Sequence, residues 1–296
     1  MKVMKGFAGA LGCIAALALT AALLWTLLLV PGGKRKTDDA KELKLGESFR
    51  MEINNGLSDA LSDVVDLPKS YWIEKDAVVA PEPDQSCYGE ASSPAELEWL
   101  LEGQELFFST DRTSLPDSTI HYYLDETIFA ISWKEDVNHM AVTYSEVKIM
   151  DPSQIRRHLS GGSYSSGTLM YTSDMSKQVN AVMAFSGDFY DYRQKGTVVQ
   201  NGIVCRTNDG LSDICYVDEN GDLLLERHHK FDTVEQAQQY VDEKGIRFSL
   251  AFGPILVEDH QPQELPTYFV GELKGNFSRE ALCQMDRLHY LVVVCN

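Results

Sequence analysis

Basic residues are scarce in this chain: 26 Lys and Arg stand against 44 Asp and Glu, a formal net charge of −18 over 296 residues. Five of those bases, Lys2, Lys5, Lys34, Arg35 and Lys36, fall in an opening segment without acids. The remainder carries 21 bases against 44 acids, a net of −23. Such a surface repels nucleic-acid phosphates and anionic lipid, so no nucleic-acid partner is expected; a locally basic pocket can still hold one phosphate. Cysteines are few and lack metal-ligand spacing, with Cys13 in an apolar run and Cys87, Cys205, Cys215, Cys283 and Cys295 scattered beyond it. No metal site is expected, and any cofactor is left open. Cys205 and Cys215 either bridge two adjacent strands or act as small buried hydrophobes. The chain also lacks Gly-x-Ser-x-Gly, His-Glu-x-x-His and Cys-x-x-Cys, which removes the usual signatures of serine hydrolases and zinc enzymes.

Long apolar runs are rare too, with one exception. Gly6 to Val30 is an uncharged stretch of 25 residues. As a helix it spans about 37 Å, more than the roughly 20 residues a bilayer requires. It is too long for the apolar region of a cleaved signal peptide, about 7–15 residues, so an uncleaved anchor is expected over residues 1–33, ended by Pro31-Gly32-Gly33. The rival is a lipoprotein signal at Ala10-Leu11-Gly12-Cys13, which leaves the apolar residues after Cys13 without a purpose. Charge alone orients the larger part toward the cytosol, because more lysine and arginine follows the span than precedes it.

Residues 34–92 read as a stalk, charged and rich in turn formers such as Ala80-Pro81-Glu82-Pro83-Asp84. At Ser93-Pro94-Ala95-Glu96 a helix start opens the main domain, 93–296, and Leu97, Leu100 and Leu101 give that helix an apolar face. From Ile120 the period becomes that of strands, in 121–123, 127–133 and 140–149. Asp151-Pro152-Ser153-Gln154 opens a short helix through Leu159, and Gly161–Gly167 reads as a connector without P-loop spacing. Asp218-Glu219-Asn220-Gly221-Asp222 is a hairpin turn without the spacing of a calcium loop. Thr233 to Gly245 is a capped helix with Val234, Ala237, Tyr240 and Val241 on one face. Strands with few helices predict an α+β domain on a mixed sheet, large enough for one sizeable core.

Three stretches stand out by order and spacing: Ala184-Phe185-Ser186-Gly187-Asp188-Phe189-Tyr190, Gln200-Asn201-Gly202-Ile203-Val204-Cys205-Arg206, and Ser249 to Asp259 with Phe252-Gly253-Pro254 inside it. With Asn276-Phe277-Ser278-Arg279-Glu280-Ala281 and Leu288-His289-Tyr290-Leu291-Val292-Val293-Val294, they resemble the phosphodiester glycosidase family. The best-known member of that family removes N-acetylglucosamine from a sugar-phosphate diester. The resemblance covers roughly residues 120–296. It departs at Ser186, where members commonly carry Asn, and at Ser278, where they commonly carry Pro. In the family the last strand leads into a segment ending in an Asp-Gly-Gly turn, so the resemblance implies a C-terminally incomplete domain.

The resemblance implies a sugar-phosphate or polysaccharide ligand, and it places the large domain outside the cytoplasm of a single-pass protein held in the cell membrane through residues 6–30. Cleaving a sugar 1-phosphodiester needs donors for the phosphate, a proton carrier and small residues that admit backbone to the ligand. Asp188, Arg279 and His289 are the candidate catalytic residues, as acid, phosphate clamp and proton carrier. Gly187, Tyr190, Arg193 and Gly253 are the candidate substrate contacts. Each has a plainer role available: Asp188 as a turn former, Arg279 as partner of a surface acid, His289 as a satisfied core histidine. Two functions follow: a membrane-anchored hydrolase acting on sugar-1-phosphodiesters of envelope glycans or exopolysaccharide, or a truncated non-catalytic relative that binds glycan or has no function.

Overall fold

A computed structural model of the chain describes residues 79–102, 104–112, 115, 118–192, 194–207, 212–264 and 278–295. All lie in one compact unit, Ser58–Asn296. In chain order the strands are β1 (Tyr88–Ala91), β2 (Ile120–Leu124), β3 (Ile128–Val137), β4 (Met140–Ile149), β5 (Val198–Gln200), β6 (Ile203–Arg206), β7 (Ile214–Asp218), β8 (Leu223–Glu226), β9 (Ile246–Leu250), β10 (Val257–Glu258), β11 (Gln261–Pro262), β12 (Arg279–Asp286) and β13 (His289–Cys295). Among the described residues the α-helices are α1 (Glu98–Leu101), α2 (Thr172–Gln178) and α3 (Val234–Lys244). No helix among the described residues is long and apolar enough to cross a membrane, and the expected anchor at 6–30 lies outside them.

Six strands form one sheet in the order β1-β2-β3-β4-β13-β12. Every pairing among the described strands is antiparallel, so the α+β class holds but the sheets are not mixed. Because successive side chains alternate in direction, the register sorts the sheet residues onto two faces. Ile131 pairs with Glu146 and Glu146 with Leu291 on one face, while Ala130, Val147 and Tyr290 share the other. The first face carries a dense core in which Leu97, Leu100 and Phe108 pack on Ile120, Ile131, Trp133 and Leu291. Ser93 precedes a 3-10 turn (Pro94–Leu97) that runs into α1, and Glu96 reaches back to the backbone N–H of Ser92 at 3.0 Å. Leu97 and Leu100 are the buried residues of that short helical stretch.

The domain begins earlier than the sequence suggests. Residues 88–91 form an edge strand on β2, and the backbone N–H of Ala80 donates to the carbonyl of Val179. Residues 80–91, rich in turn formers and charge, are therefore sheet and cover; of the expected stalk, 34–78 lies outside the described residues. A second, smaller core gathers Val199, Ile214, Tyr216, Ala237, Val241 and Ile246 from β5, β7, α3 and β9. In α3 the Thr233 hydroxyl accepts from the Gln236 N–H at 3.2 Å, and Gly245 ends the helix at φ +62°, a conformation glycine adopts without strain. Asn201 and Gly202 both take positive φ between β5 and β6, as a two-residue hairpin requires.

The expected hairpin turn at 218–222 joins β7 and β8, and it also ties their sheet to the six-stranded one. Gln284 on β12 accepts from the Leu223 N–H and donates to Asp222, and the Tyr290 hydroxyl donates to the Gly221 carbonyl at 2.7 Å. Asp151 caps only a single 3-10 turn, Pro152–Gln154, with a complete capping box; the helix expected through Leu159 stops there and frees 155–159 to run extended toward the site. Cys87, Cys205, Cys215, Cys283 and Cys295 are all free thiols, so Cys205 and Cys215 do not bridge.

Candidate functional site

The residues after the capping box bring Arg157 under the loop that carries Asp188. Two guanidinium N–H groups of Arg157 meet the Asp188 carboxylate, one at 3.3 Å and the other in a shorter contact, and the same guanidinium donates to the Ser249 carbonyl. The backbone N–H of Ala251 also donates to Asp188, at 2.8 Å. Both side chains are almost wholly enclosed, at 6% and 1% exposure, which makes this a buried ion pair rather than a surface one. Tyr190 lies beside it, its ring centroid 5.3 Å from the Arg157 guanidinium carbon. Gln200 donates to the Arg157 carbonyl at 3.1 Å and fixes the backbone behind the pair.

The three stretches that stand out in the sequence converge here. Gly187 approaches Leu250 so closely that an added Cβ would sit 3.2 Å from its side chain. Arg206, at the end of the second stretch, donates to the Tyr190 carbonyl at 2.6 Å, which anchors the first. Ser249 donates to the Thr197 carbonyl at 2.7 Å and accepts from Val199 at 2.9 Å, which joins the third to β5. Residues separated by as many as 92 positions are thus held in one network of short polar contacts, which a low-dielectric interior strengthens.

Beside this network lies a cavity of about 710 Å³, within the range of small-molecule sites. Its floor is the second face of the six-stranded sheet, including Ala130, Val147, Leu282, Tyr290 and Val292, and its roof is the segment 168–192. Arg157, Asp188, Gly187 and Tyr190 all line it. So does His158, whose Nε2 is buried without a hydrogen-bond partner; burial holds its pKa below the ordinary histidine value, against a Gln178 contact that favours the charged form.

A smaller chamber of about 280 Å³ adjoins the first through shared residues 183–186. Glu280 lines it together with Ser145, Thr172 and Ser186. On the edge strand Glu280 keeps an exposed flank. Burial of the rest pushes its carboxyl up to about 7, against the Ser186 N–H, which favours the charged form.

Other expected site residues fall elsewhere. Arg279 pairs with Cys295 and His289 with Lys148, which puts both on the core face of the sheet, opposite the cavity. His289 Nε2 lies 2.7 Å from Glu146, a fully enclosed carboxylate that also accepts from the N–H groups of Phe107 and Phe108. Burial alone would raise the pKa of Glu146, but these donors outweigh it and hold the carboxyl below its ordinary value. Gly253, at φ +111°, lies against Asp213, where an added Cβ would come within 2.8 Å of the Asp213 Cβ; it is not part of the cavity lining. Arg193 lies outside the described residues.

Sequence reasoning missed Arg157, and it named Glu280 only as part of a stretch. The signal for the first was present: Arg156-Arg157-His158 is a cationic run in a domain starved of bases, just beyond a strong cap. No protein-family model and no curated protein matches the chain, so the likeness to phosphodiester glycosidases rests on the residues quoted above.

Proposed function

We propose that this chain is a membrane-anchored, extracytoplasmic phosphodiester glycosidase-like hydrolase whose cavity receives a sugar-1-phosphodiester of envelope glycans or exopolysaccharide. The observation that carries the reading is the convergence of residues 184–190, 200–206 and 249–251 around the Arg157–Asp188 pair at the cavity wall. In the reaction, the bond between sugar C1 and the phosphate oxygen breaks and water oxygen takes the place of that oxygen on C1. A proton from the water is lost, and the phosphate departs as a monoester of the second alcohol.

Arg157 takes the phosphate-facing part that the sequence suggested for Arg279, since Arg157 lines the cavity and Arg279 lies across the sheet. Asp188 fixes its orientation, and Tyr190 offers an aromatic surface to the sugar. Glu280, which lines the adjoining chamber with its carboxyl pushed up to about 7, is the better placed proton carrier than His289, whose imidazole is engaged by Glu146 on the opposite face of the sheet. Among the described residues, five carboxylates and two guanidiniums line the larger cavity: Glu82, Asp84, Asp125, Asp188 and Asp191 against Arg156 and Arg157. That balance suits a diester with one negative charge better than a doubly charged monoester, which favours release of the product.

A second reading, a glycan-binding module without catalysis, is favoured by one observation. Both Asp188 oxygens already accept hydrogen bonds, an arrangement suited to holding shape. The test is to incubate the full chain in detergent with N-acetylglucosamine-1-phosphodiesters, alongside Arg157→Lys and Glu280→Gln. Sugar release, reduced about a hundredfold in an Arg157→Lys variant that still melts cooperatively, is the expected result for loss of preorganised charge stabilisation. Saturable binding without release sinks the hydrolase and leaves the binding module.

A further inference from the structure

The Arg157–Asp188 network occupies only part of the cavity. The lining also carries Glu82, Asp84, Asp125 and His158, but apolar surface predominates, with Ala130, Val147 and Val292 on the sheet side and Met175, Val182 and Met183 on the other. A free sugar phosphate, hydroxylated around its whole edge, has nothing to offer these walls. Water held against these apolar stretches would lack the two to four polar partners that hold an ordered water in place. The ligand that matches both parts is polar at one end and hydrocarbon at the other.

A second observation lies at the mouth. Leu169, Phe189 and Tyr192 line the cavity while remaining 88%, 52% and 86% exposed, and Tyr171 beside them is 81% exposed. Single exposed apolar side chains are ordinary, but four on the two segments that border one cavity form a rim of the kind that meets an apolar ligand. These rim residues carry the hydrocarbon character of the interior out to the surface.

We infer that the cavity is an amphiphile site, in which the apolar part holds the alkyl or isoprenoid tail of a lipid-type phosphodiester and the Arg157–Asp188 end receives its head. The tail subsite stands on the walls and rim alone; the identity of the head as a sugar 1-phosphate rests on the function proposed above. The group that departs from sugar C1 is then the phosphate monoester of a lipid alcohol, and the substrate is supplied by a reaction that joins a sugar 1-phosphate to such an alcohol.

The full chain, reconstituted in phosphatidylcholine nanodiscs, is labelled with an N-acetylglucosamine-1-phosphate decyl diester carrying a diazirine at the tail end. The same probe with a two-carbon tail serves as the comparison. Labelling within 170–185 and 290–294, saturable and about a hundredfold stronger for the decyl probe, is expected if about three to four of its eight additional methylenes are buried in the cavity. Leu169→Ser with Phe189→Ser, which alter only the rim, should weaken it about tenfold. Val147→Trp, which fills the chamber, should abolish it while Ile203→Ser, at an exposed site away from the cavity, leaves it unchanged. Label confined to residues 6–30, or cavity label equal for the two tails, overturns the tail subsite. So does protection of the cavity by another segment of this chain. Tail labelling without sugar release sinks the hydrolase while leaving the amphiphile site standing; release from the two-carbon diester without tail labelling does the reverse.

Discussion

The two faces of the six-stranded sheet are built from the same strands and filled in opposite ways. On one, Trp133 stacks on Tyr144 with ring centroids 5.3 Å apart, Phe108 meets Trp133 edge-on at 4.8 Å, and the buried carboxylate of Glu146 is met by two backbone N–H groups and an imidazole. On the other, Ala130, Val147 and Val292 look into about 710 Å³ of space. Large aromatic residues close the first face, and small aliphatic residues leave the second open. One face therefore carries stability and the other is free to take a ligand.

The largest effect that would break this contrast comes from the packed face. Glu146→Ala leaves the N–H groups of Phe107 and Phe108 and the His289 ring without their acceptor, and should cost about 4 kcal/mol in denaturant unfolding. The pH dependence has a defined sign. A carboxyl held below its unfolded value contributes stability above the ordinary carboxylate range and loses it as pH falls through the folded value, so the wild type should weaken in acid more steeply than Glu146→Ala. Equal acid slopes in the two proteins would remove Glu146 as the anchor of this face.

Next comes the strong polar element on the open face. Arg157→Ala strands Asp188 as an uncompensated enclosed charge, and should cost about 3 kcal/mol. Replacing both partners together by apolar side chains, Arg157→Met with Asp188→Leu, should recover most of that loss while leaving sugar release and head-group binding absent. Stability that recovers together with binding would separate the pair from the site. A milder comparison adds volume to each face. Ile131→Phe forces extra atoms into a closed core and should cost about 1–3 kcal/mol, whereas Val147→Leu extends into open space and should change stability by under about 0.5 kcal/mol. Equal penalties would mean that the second face is as tightly closed as the first.

How much of this was legible depended on whether the deciding information was local. The strand 140–149 and the capped helix before Gly245 could be read because alternation, caps and glycine act within a few residues. The parity of the last hairpin could not. Arg279 and Glu280 are neighbours, as are His289 and Tyr290, and a register shifted by one residue exchanges which of each pair meets the cavity. Side-chain chemistry favoured Arg279 and His289, while the pairing with β4 turned Glu280 and Tyr290 to the open side. The extended start of the domain was obscured for a related reason: Tyr88–Ala91 has no strand pattern of its own and is a strand only because β2 offers an edge. Arg157 was hidden because its partner is 31 residues away and reaches it through a loop.

The smallest predicted effect tests whether the open face carries a proton near neutrality. With a carboxyl pushed up to about 7, the folded protein binds more protons at Glu280 than the unfolded chain does between the ordinary glutamate value and 7. Stability should therefore fall as pH rises through that window, the opposite slope to that of Glu146. Glu280→Gln carries no charge at any pH, so it should melt like the wild type at pH 4 and slightly above it at pH 8. The partly exposed flank keeps that difference to a degree or two. A divergence of the two melting temperatures as pH rises between those limits places the proton on the cavity side of β12, and a constant difference would return the proposed proton-carrying role to another residue of the cavity.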